Sequence, residues 1–129
     1  MNTPILPPTM APPAANYVHA MLSTDASRVL HTSGVVPTAP DGTTPTDIAD
    51  QADVVWRNIE ALLAEADMLV SSIVSITTYV VVDQLTSLGA VMAARDRAMG
   101  THRAASTLVT VPALARPEWQ MEIAVVAIA

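Results

Sequence analysis

Ile48, Ala52, Val55, Ile59, Leu62 and Ala66 recur at steps of four, three, four, three and four. That spacing puts them on one stripe of an α-helix, and such a stripe is stable only against another apolar surface. The rest of the chain supplies that surface as strands. Ser72 to Val82 is rich in β-branched residues and reads as a strand buried on at least one face. Two more strands fit Ala105 to Val111 and Gln120 to Ile128, with Pro112 to Pro117 forming the loop between them. Upstream, Tyr17 to Met21 and Arg28 to Val36 read as short strands around the turn Thr24-Asp25-Ala26-Ser27. A second helix fits Leu85 to Met99, with Leu85, Leu88, Met92 and Met99 near one stripe and Gly100 as its stop. The order ββαβαββ predicts a small α/β (α+β) sandwich, a mixed β-sheet with two helices packed on one face.

Local chemistry sharpens the element ends. Thr46 or Asp47 suits the N-cap of the first helix, and Asp53 and Arg57 have the spacing of an i,i+4 pair on its wet face. Pro37 to Pro45, with Pro40-Asp41-Gly42 inside it, carries strong turn chemistry. The Pro-rich first thirteen residues are expected to lie extended over the surface.

At 129 residues the chain is read as one domain, 1–129, burying roughly two-thirds of its unfolded surface. A hydrophobic fraction of 51% is high for a lone domain of this size, and the surplus apolar side chains point to a subunit interface. The net charge of −6, with six arginines and no lysine, offers no basic surface for nucleic acid or for a charged membrane. Aromatics at 3%, with no phenylalanine, leave few platforms for stacking bases. Cysteine is absent, so no disulfide, thiolate metal site or cysteine nucleophile is available. The proline-broken start, which has no basic residues, does not read as a signal peptide, and no apolar run approaches the ~20 residues of a membrane span. A cytoplasmic location is the expectation.

One residue in the last predicted strand stands out. Glu122 is a lone carboxylate within Trp119-Gln120-Met121-Glu122-Ile123-Ala124-Val125-Val126-Ala127-Ile128. It either faces solvent or has a chemical task, since burial raises the pKa of a carboxylate and prepares it as an acid or base. Sequence motifs for other chemistries are missing. No Gly-rich phosphate loop, H-E-x-x-H spacing or Gly-x-Ser-x-Gly elbow occurs, and His19, His31 and His102 stand far apart.

What remains is a constellation: Tyr17, the Thr32-Ser33-Gly34…Pro37 stretch, Gln51 and Asn58 on the first helix, Thr77-Thr78…Asp83, and Glu122-Ile123…Ala127. From Ala11 onward the chain resembles the Rid (YjgF) superfamily, whose archetypes hydrolyse reactive enamines and imines to ketones and ammonia without a cofactor. The resemblance implies a Rid/chorismate-mutase-like fold and a homotrimer with small-molecule clefts between subunits. It implies that Glu122 positions or activates water, that Tyr17 and the backbone of Ser33-Gly34 line the pocket, and that Thr107 is a further pocket residue.

The departures are as informative. The archetypal arginine that clamps a substrate carboxylate corresponds to Ala105, and a usual asparagine of the second helix corresponds to Val91. A methyl group cannot make the charge-assisted, bidentate contact of a guanidinium, typically worth ~1.5–3 kcal/mol. The implied pocket is therefore more hydrophobic. Arg103, two residues before Ala105, would share its face if the strand already began there; otherwise it is an exposed arginine at a loop edge. Trp119 either roofs the cleft or covers the edge of the core. The expected function is a Rid-like hydrolase for an uncharged or hydrophobic enamine or imine. The alternative is a non-catalytic, metabolite-sensing trimer, and a ribonuclease ranks last because of the charge.

Overall fold

In the computed structural model, which describes residues 1–129, six strands and two helices follow the chain: β1 Asn2–Ile5, β2 Ala20–Ser23, β3 Val29–His31, α1 Ile48–Glu65, β4 Ile73–Val81, α2 Leu88–Met99, β5 Ala105–Val111 and β6 Met121–Ile128. A four-stranded sheet has the order β3-β6-β4-β5, with β4 and β5 parallel and the other neighbours antiparallel. The segments from β3 through α1 to β4, and from β4 through α2 to β5, both cross the sheet in the same direction. Right-handed crossovers then put both helices on one face, as the expected mixed sandwich requires.

Alternation sorts the strands into two faces. In β6, Met121, Ile123, Val125 and Ala127 are buried against α1, while Glu122, Ala124, Val126 and Ile128 turn to the other side. β4 does the same, with Ile76, Thr78 and Val80 buried. From α1 the core takes Ala52, Val55, Trp56, Ile59 and Leu63, each large side chain contributing about 1.5–3 kcal/mol by burial. The sheet face opposite the helices has no second layer within one chain.

The structure corrects several local expectations. The proline-rich start is not merely draped: Asn2–Ile5 pairs antiparallel with β2, a ladder that tolerates Pro4 because it is an edge. Asn2 fastens it by donating to the Ile128 carbonyl and accepting from Ser23. The first predicted strand shifts to Ala20–Ser23, leaving Val18 in a single bridge to Ala105. The second stops at His31 because Thr32 Oγ1 takes the Val125 N–H at 2.9 Å, and pairing resumes only at Val35 with Ile123. A side chain has replaced a backbone acceptor, and the Ser33-Gly34 peptide bulges out of the ladder.

The second helix begins at Leu88, not Leu85, after a 3-10 turn over Val82–Ser87. Leu85 is 55% exposed, and the buried side of α2 is Val91, Ala94, Arg95 and Met99. Asp47 caps α1 through the Ala49 N–H at 2.7 Å, and Gly100 ends α2 with φ 58°. Asp53 and Arg57 do not form the expected side-chain pair. Arg57 donates to the Asp53 carbonyl, and the Asp53 carboxylate instead meets Arg97 of α2 at 3.2 Å. Leu62 of the predicted stripe is largely exposed, whereas Gln51 is fully buried.

Candidate active site on the open sheet face

Glu122 lies on the uncovered face of β6, in register with Tyr79 of β4, which in turn is opposite Val109 of β5. On its other flank the bulge at Thr32–Gly34 brings the backbone of Gly34 beneath the carboxylate. A Cβ at residue 34 would stand 2.6 Å from Glu122 Oε1 and 2.8 Å from its Cδ. Any side chain there would displace the carboxylate, so glycine is what lets Glu122 lie flat on the bulge. Glu122 is partly exposed, and its carboxylate has no hydrogen-bond or ion-pair partner in the chain.

The polar residues around this bulge are structural staples. Gln51 donates to the Pro45 and Glu118 carbonyls at 2.7 and 2.9 Å and accepts the Gln120 N–H at 3.0 Å. It thereby fixes the chain entering β6 two residues before Glu122. Asn58 donates to the carbonyls of Val36 and Thr38 and anchors the chain leaving the bulge. Two amides, two turns apart on one side of α1, thus hold the two segments whose meeting point is Gly34 and Glu122.

A second group lies at the far corner of the same face. Ala105 is in register with Ser75, and Val18 bridges to it, so Tyr17 stands beside Ala105. Tyr17 packs edge-on to His19 at 6.1 Å, and its hydroxyl accepts from the Ala14 N–H. Asn16, just before it, donates to Asp96 Oδ2 at 3.0 Å. Partial burial pushes the Asp96 carboxyl up, but the hydrogen bonds from Asn16 and Arg95 and the charges of Arg95 and Arg103 outweigh it and hold the group below its ordinary value. Thr107 is exposed on the open face opposite Thr77, between the two groups.

Two strand spacings and four residues separate Ala105 from Glu122, about 16 Å at ~4.8 Å per strand and ~3.3 Å per residue. A single chain therefore does not bring Tyr17 and Ala105 together with Ser33, Gly34 and Glu122 around one small molecule.

Three expected pocket residues sit elsewhere. Val91 is 2% exposed and belongs to the core, where α2 packs on the sheet. Arg103 precedes β5, which begins at Ala105, and its guanidinium turns back to the Gly100 and His102 carbonyls at 2.7 and 3.0 Å, closing the end of α2. Trp119 lies under the Arg116 guanidinium, 5.3 Å from its ring centre, and helps line a 230 Å³ hollow with Val81, Asp83 and Leu114 at the end of the sheet. Conversely, Tyr79 was not singled out from the sequence. The alternation Ser75-Thr77-Tyr79-Val81 was the signal that it shares a face with Glu122.

No helix is long and apolar enough to cross a membrane. Comparison with known proteins places this geometry. No curated protein sequence matches the chain, but it is similar over nearly its full length to solved structures. A Rid-family protein of unknown function, YyfB from Yersinia pestis, shares 30% identity at a TM-score of 0.88, covering 99% of this chain and 98% of that one. The YjgF gene product of E. coli shares 27% identity at a TM-score of 0.69 over 92% of each chain. A Mycobacterium tuberculosis member of the YjgF/YER057c/UK114 family shares 23% at 0.69, covering 94% of this chain and 98% of that one, a likeness of fold. The family model for endoribonuclease L-PSP matches residues 8–129. The chain belongs to this family, the Rid or YjgF superfamily.

Proposed function

We propose that the protein is a Rid-like hydrolase of small enamines or imines, working as a homotrimer with its clefts between subunits. The observation that carries this reading is the unpartnered Glu122 carboxylate laid over Gly34 on a sheet face that no second layer covers. The ~16 Å between the Glu122 group and the Tyr17–Ala105 group supports a site shared by two chains, one copy's bulge facing another's β5 corner. Val109, 40% exposed on the same open face, suits such a subunit contact.

In the reaction, Glu122 accepts a proton from water as the oxygen attacks the imine carbon. Glu122 passes that proton to the imine nitrogen, giving a neutral carbinolamine, and then carries the carbinolamine hydroxyl proton to the same nitrogen as the C–N bond breaks, so that imine plus water becomes ketone plus ammonia. The subunit contact excludes bulk water around the carboxylate. With a methyl group at Ala105 and Arg103 engaged at the end of α2, the site lacks the cation that would hold a substrate carboxylate, which favours an uncharged, hydrophobic imine.

Glu122→Gln tests the reading: ammonia release from imines generated by an amino-acid oxidase falls by about 10²-fold or more, the usual scale for removing a general base. Unchanged turnover in that variant removes the role assigned to Glu122. Ala105→Arg raises activity on 2-imino acids, and no gain at all counts against the pocket assignment. The absence of the arginine equally favours a second reading, a metabolite-binding trimer without catalysis. Ligand-dependent thermal shifts with no accelerated ammonia release on any substrate select that reading. Ribonuclease activity fits least well with a net charge of −6, and a salt-sensitive RNA complex would reverse that ranking.

A further inference from the structure

The bulge beneath Glu122 is built by one hydroxyl. Thr32 donates its N–H to the Val125 carbonyl at 3.1 Å, as in a regular antiparallel pair. The return bond is irregular, because the Val125 N–H goes to Thr32 Oγ1 at 2.9 Å and not to the Thr32 carbonyl. The same hydroxyl donates to the Ser33 carbonyl at 2.8 Å. Regular bonding resumes between Val35 and Ile123, at 2.7 and 3.2 Å. In an unbroken ladder residue 34 would occupy that place, two positions after Thr32. Residues 32–34 therefore run opposite only 124 and 125, the extra residue of a β-bulge.

Within this bulge the Thr32 hydroxyl is the only tether. Neither Ser33 nor Gly34 gives its N–H to another group of the chain, and the Gly34 carbonyl accepts nothing. Gln51 and Asn58 act outside it, at Gln120 and at Val36 and Thr38. Without the hydroxyl, the buried Val125 would be left with an N–H lacking an acceptor, a state that folded backbones rarely contain. The nearest replacement is the carbonyl of residue 32 itself. Turning it into the ladder rotates the 32–33 peptide, and Gly34 then leaves its place beneath the carboxylate.

We propose that Thr32 is a positioning residue for Glu122: its hydroxyl, accepting from Val125 and donating to Ser33, holds the bulge on which the carboxylate lies. The effect on turnover rests on the hydrolase reading; the effect on where the carboxylate lies does not.

Thr32→Val, close in shape but without a hydroxyl, is compared with Thr32→Ser, which keeps both hydrogen bonds. With an oxidase-generated imine, Thr32→Val lowers kcat by tens of fold to about 10²-fold, the scale of a ~1 Å misplacement. KM stays within about threefold, since the loss falls on the transition state, and Thr32→Ser restores kcat to within about threefold of the parent. On a Glu122→Gln background, Thr32→Val adds no further loss, because both changes act on one group. Independently of turnover, ¹³C-glutamate labelling displays the side-chain carboxyls of Glu60, Glu65, Glu118 and Glu122. The Glu122 signal, identified by its loss in Glu122→Gln, moves in Thr32→Val and returns to the parent position in Thr32→Ser. A signal unmoved in Thr32→Val overturns the proposal, as does a kcat loss shared equally by the serine variant or added to that of Glu122→Gln. A Thr32→Val chain that no longer folds also overturns it, since the hydroxyl would then hold the sheet and not the site. A parent that releases no ammonia from any imine removes the hydrolase reading alone, and the carboxyl signal then decides the role of Thr32.

Discussion

Replacing Gly34 by alanine separates the position of Glu122 from the stability of the fold. The new methyl would stand 2.6 Å from Oε1, short of the 3.4 Å of ordinary contact by about 0.8 Å, so the carboxylate has to move by nearly that much. The backbone does not resist the change, because Gly34 is not among the residues with positive φ. Alanine at a compatible glycine position stabilises by about 0.4–1 kcal/mol through the unfolded state. Pushing Glu122 off its rotamer costs about 0.5–1.5 kcal/mol. The two nearly cancel, so urea unfolding should find the variant within about 1 kcal/mol of the parent. Activity responds differently, since a misplacement of ~1 Å costs on the order of 10²-fold in an oriented reaction. Ammonia release from an oxidase-generated imine should therefore fall by tens of fold to about 10²-fold at constant stability. The double variant Gly34→Ala/Glu122→Gln should be no slower than Glu122→Gln alone, because both changes act on one group. Turnover within about twofold of the parent, or a stability loss above about 3 kcal/mol, refutes the claim that Gly34 exists to seat the carboxylate.

Gln51→Ala removes the staple joining α1 to the start of β6 and strands the Gln120 N–H, costing about 2–4 kcal/mol in a urea melt. Asp96 has a folded pKa below its ordinary 3.8, so its contribution to stability is complete above that value and fades as pH falls through the lower folded value. Thermal melts below about pH 4 should show this acid loss in the parent and not in Asp96→Asn. Val109→Glu puts a charge on the open face next to Tyr79 and should shift the proposed trimer toward monomer in light scattering; an undisturbed oligomer places the subunit contact elsewhere.

The fold was legible where periodicity was strong. The α1 stripe, the β-branched run of β4 and the alternation in β6 each mark an element in the sequence alone. Misreadings arose where tertiary contacts override local pattern. β1 forms because Asn2 reaches the Ile128 carbonyl, a contact that no reading of the first thirteen residues contains. The break after His31 depends on the Thr32 hydroxyl substituting for a carbonyl in the ladder. Leu85 fits the predicted stripe by spacing, but residues 85 to 87 are wound as a 3-10 turn outside the core. For the site, Glu122 stands out as a lone carboxylate in an apolar strand, and the resemblance adds Gly34 and Tyr17. Burial and hydrogen bonding, which spacing does not record, put Val91 in the core and turned Arg103 back onto the end of α2.

β6 shows why the site is tied so closely to the fold. One parity of its residues, Met121, Ile123, Val125 and Ala127, packs on the helices, and the other parity carries Glu122. A slip of one residue in its pairing with β4 would bury the carboxylate under α1 and turn Ile123 to the open face. Register is thus held by the core, at several kcal/mol for the four buried side chains, while the site adds only Gly34 beneath and Tyr79 beside the carboxylate. Changes on the open parity can therefore alter the substrate without loosening the sheet. Ala105, in place of the archetypal arginine, is on that parity, in register with Ser75. The same division predicts that Ala105→Arg leaves the urea midpoint of the folded chain within about 0.5 kcal/mol of the parent, whatever it does to activity. A large loss of stability would mean that Ala105 is packed in a contact between subunits too tight to admit a guanidinium, and the small residue would then serve assembly rather than substrate choice.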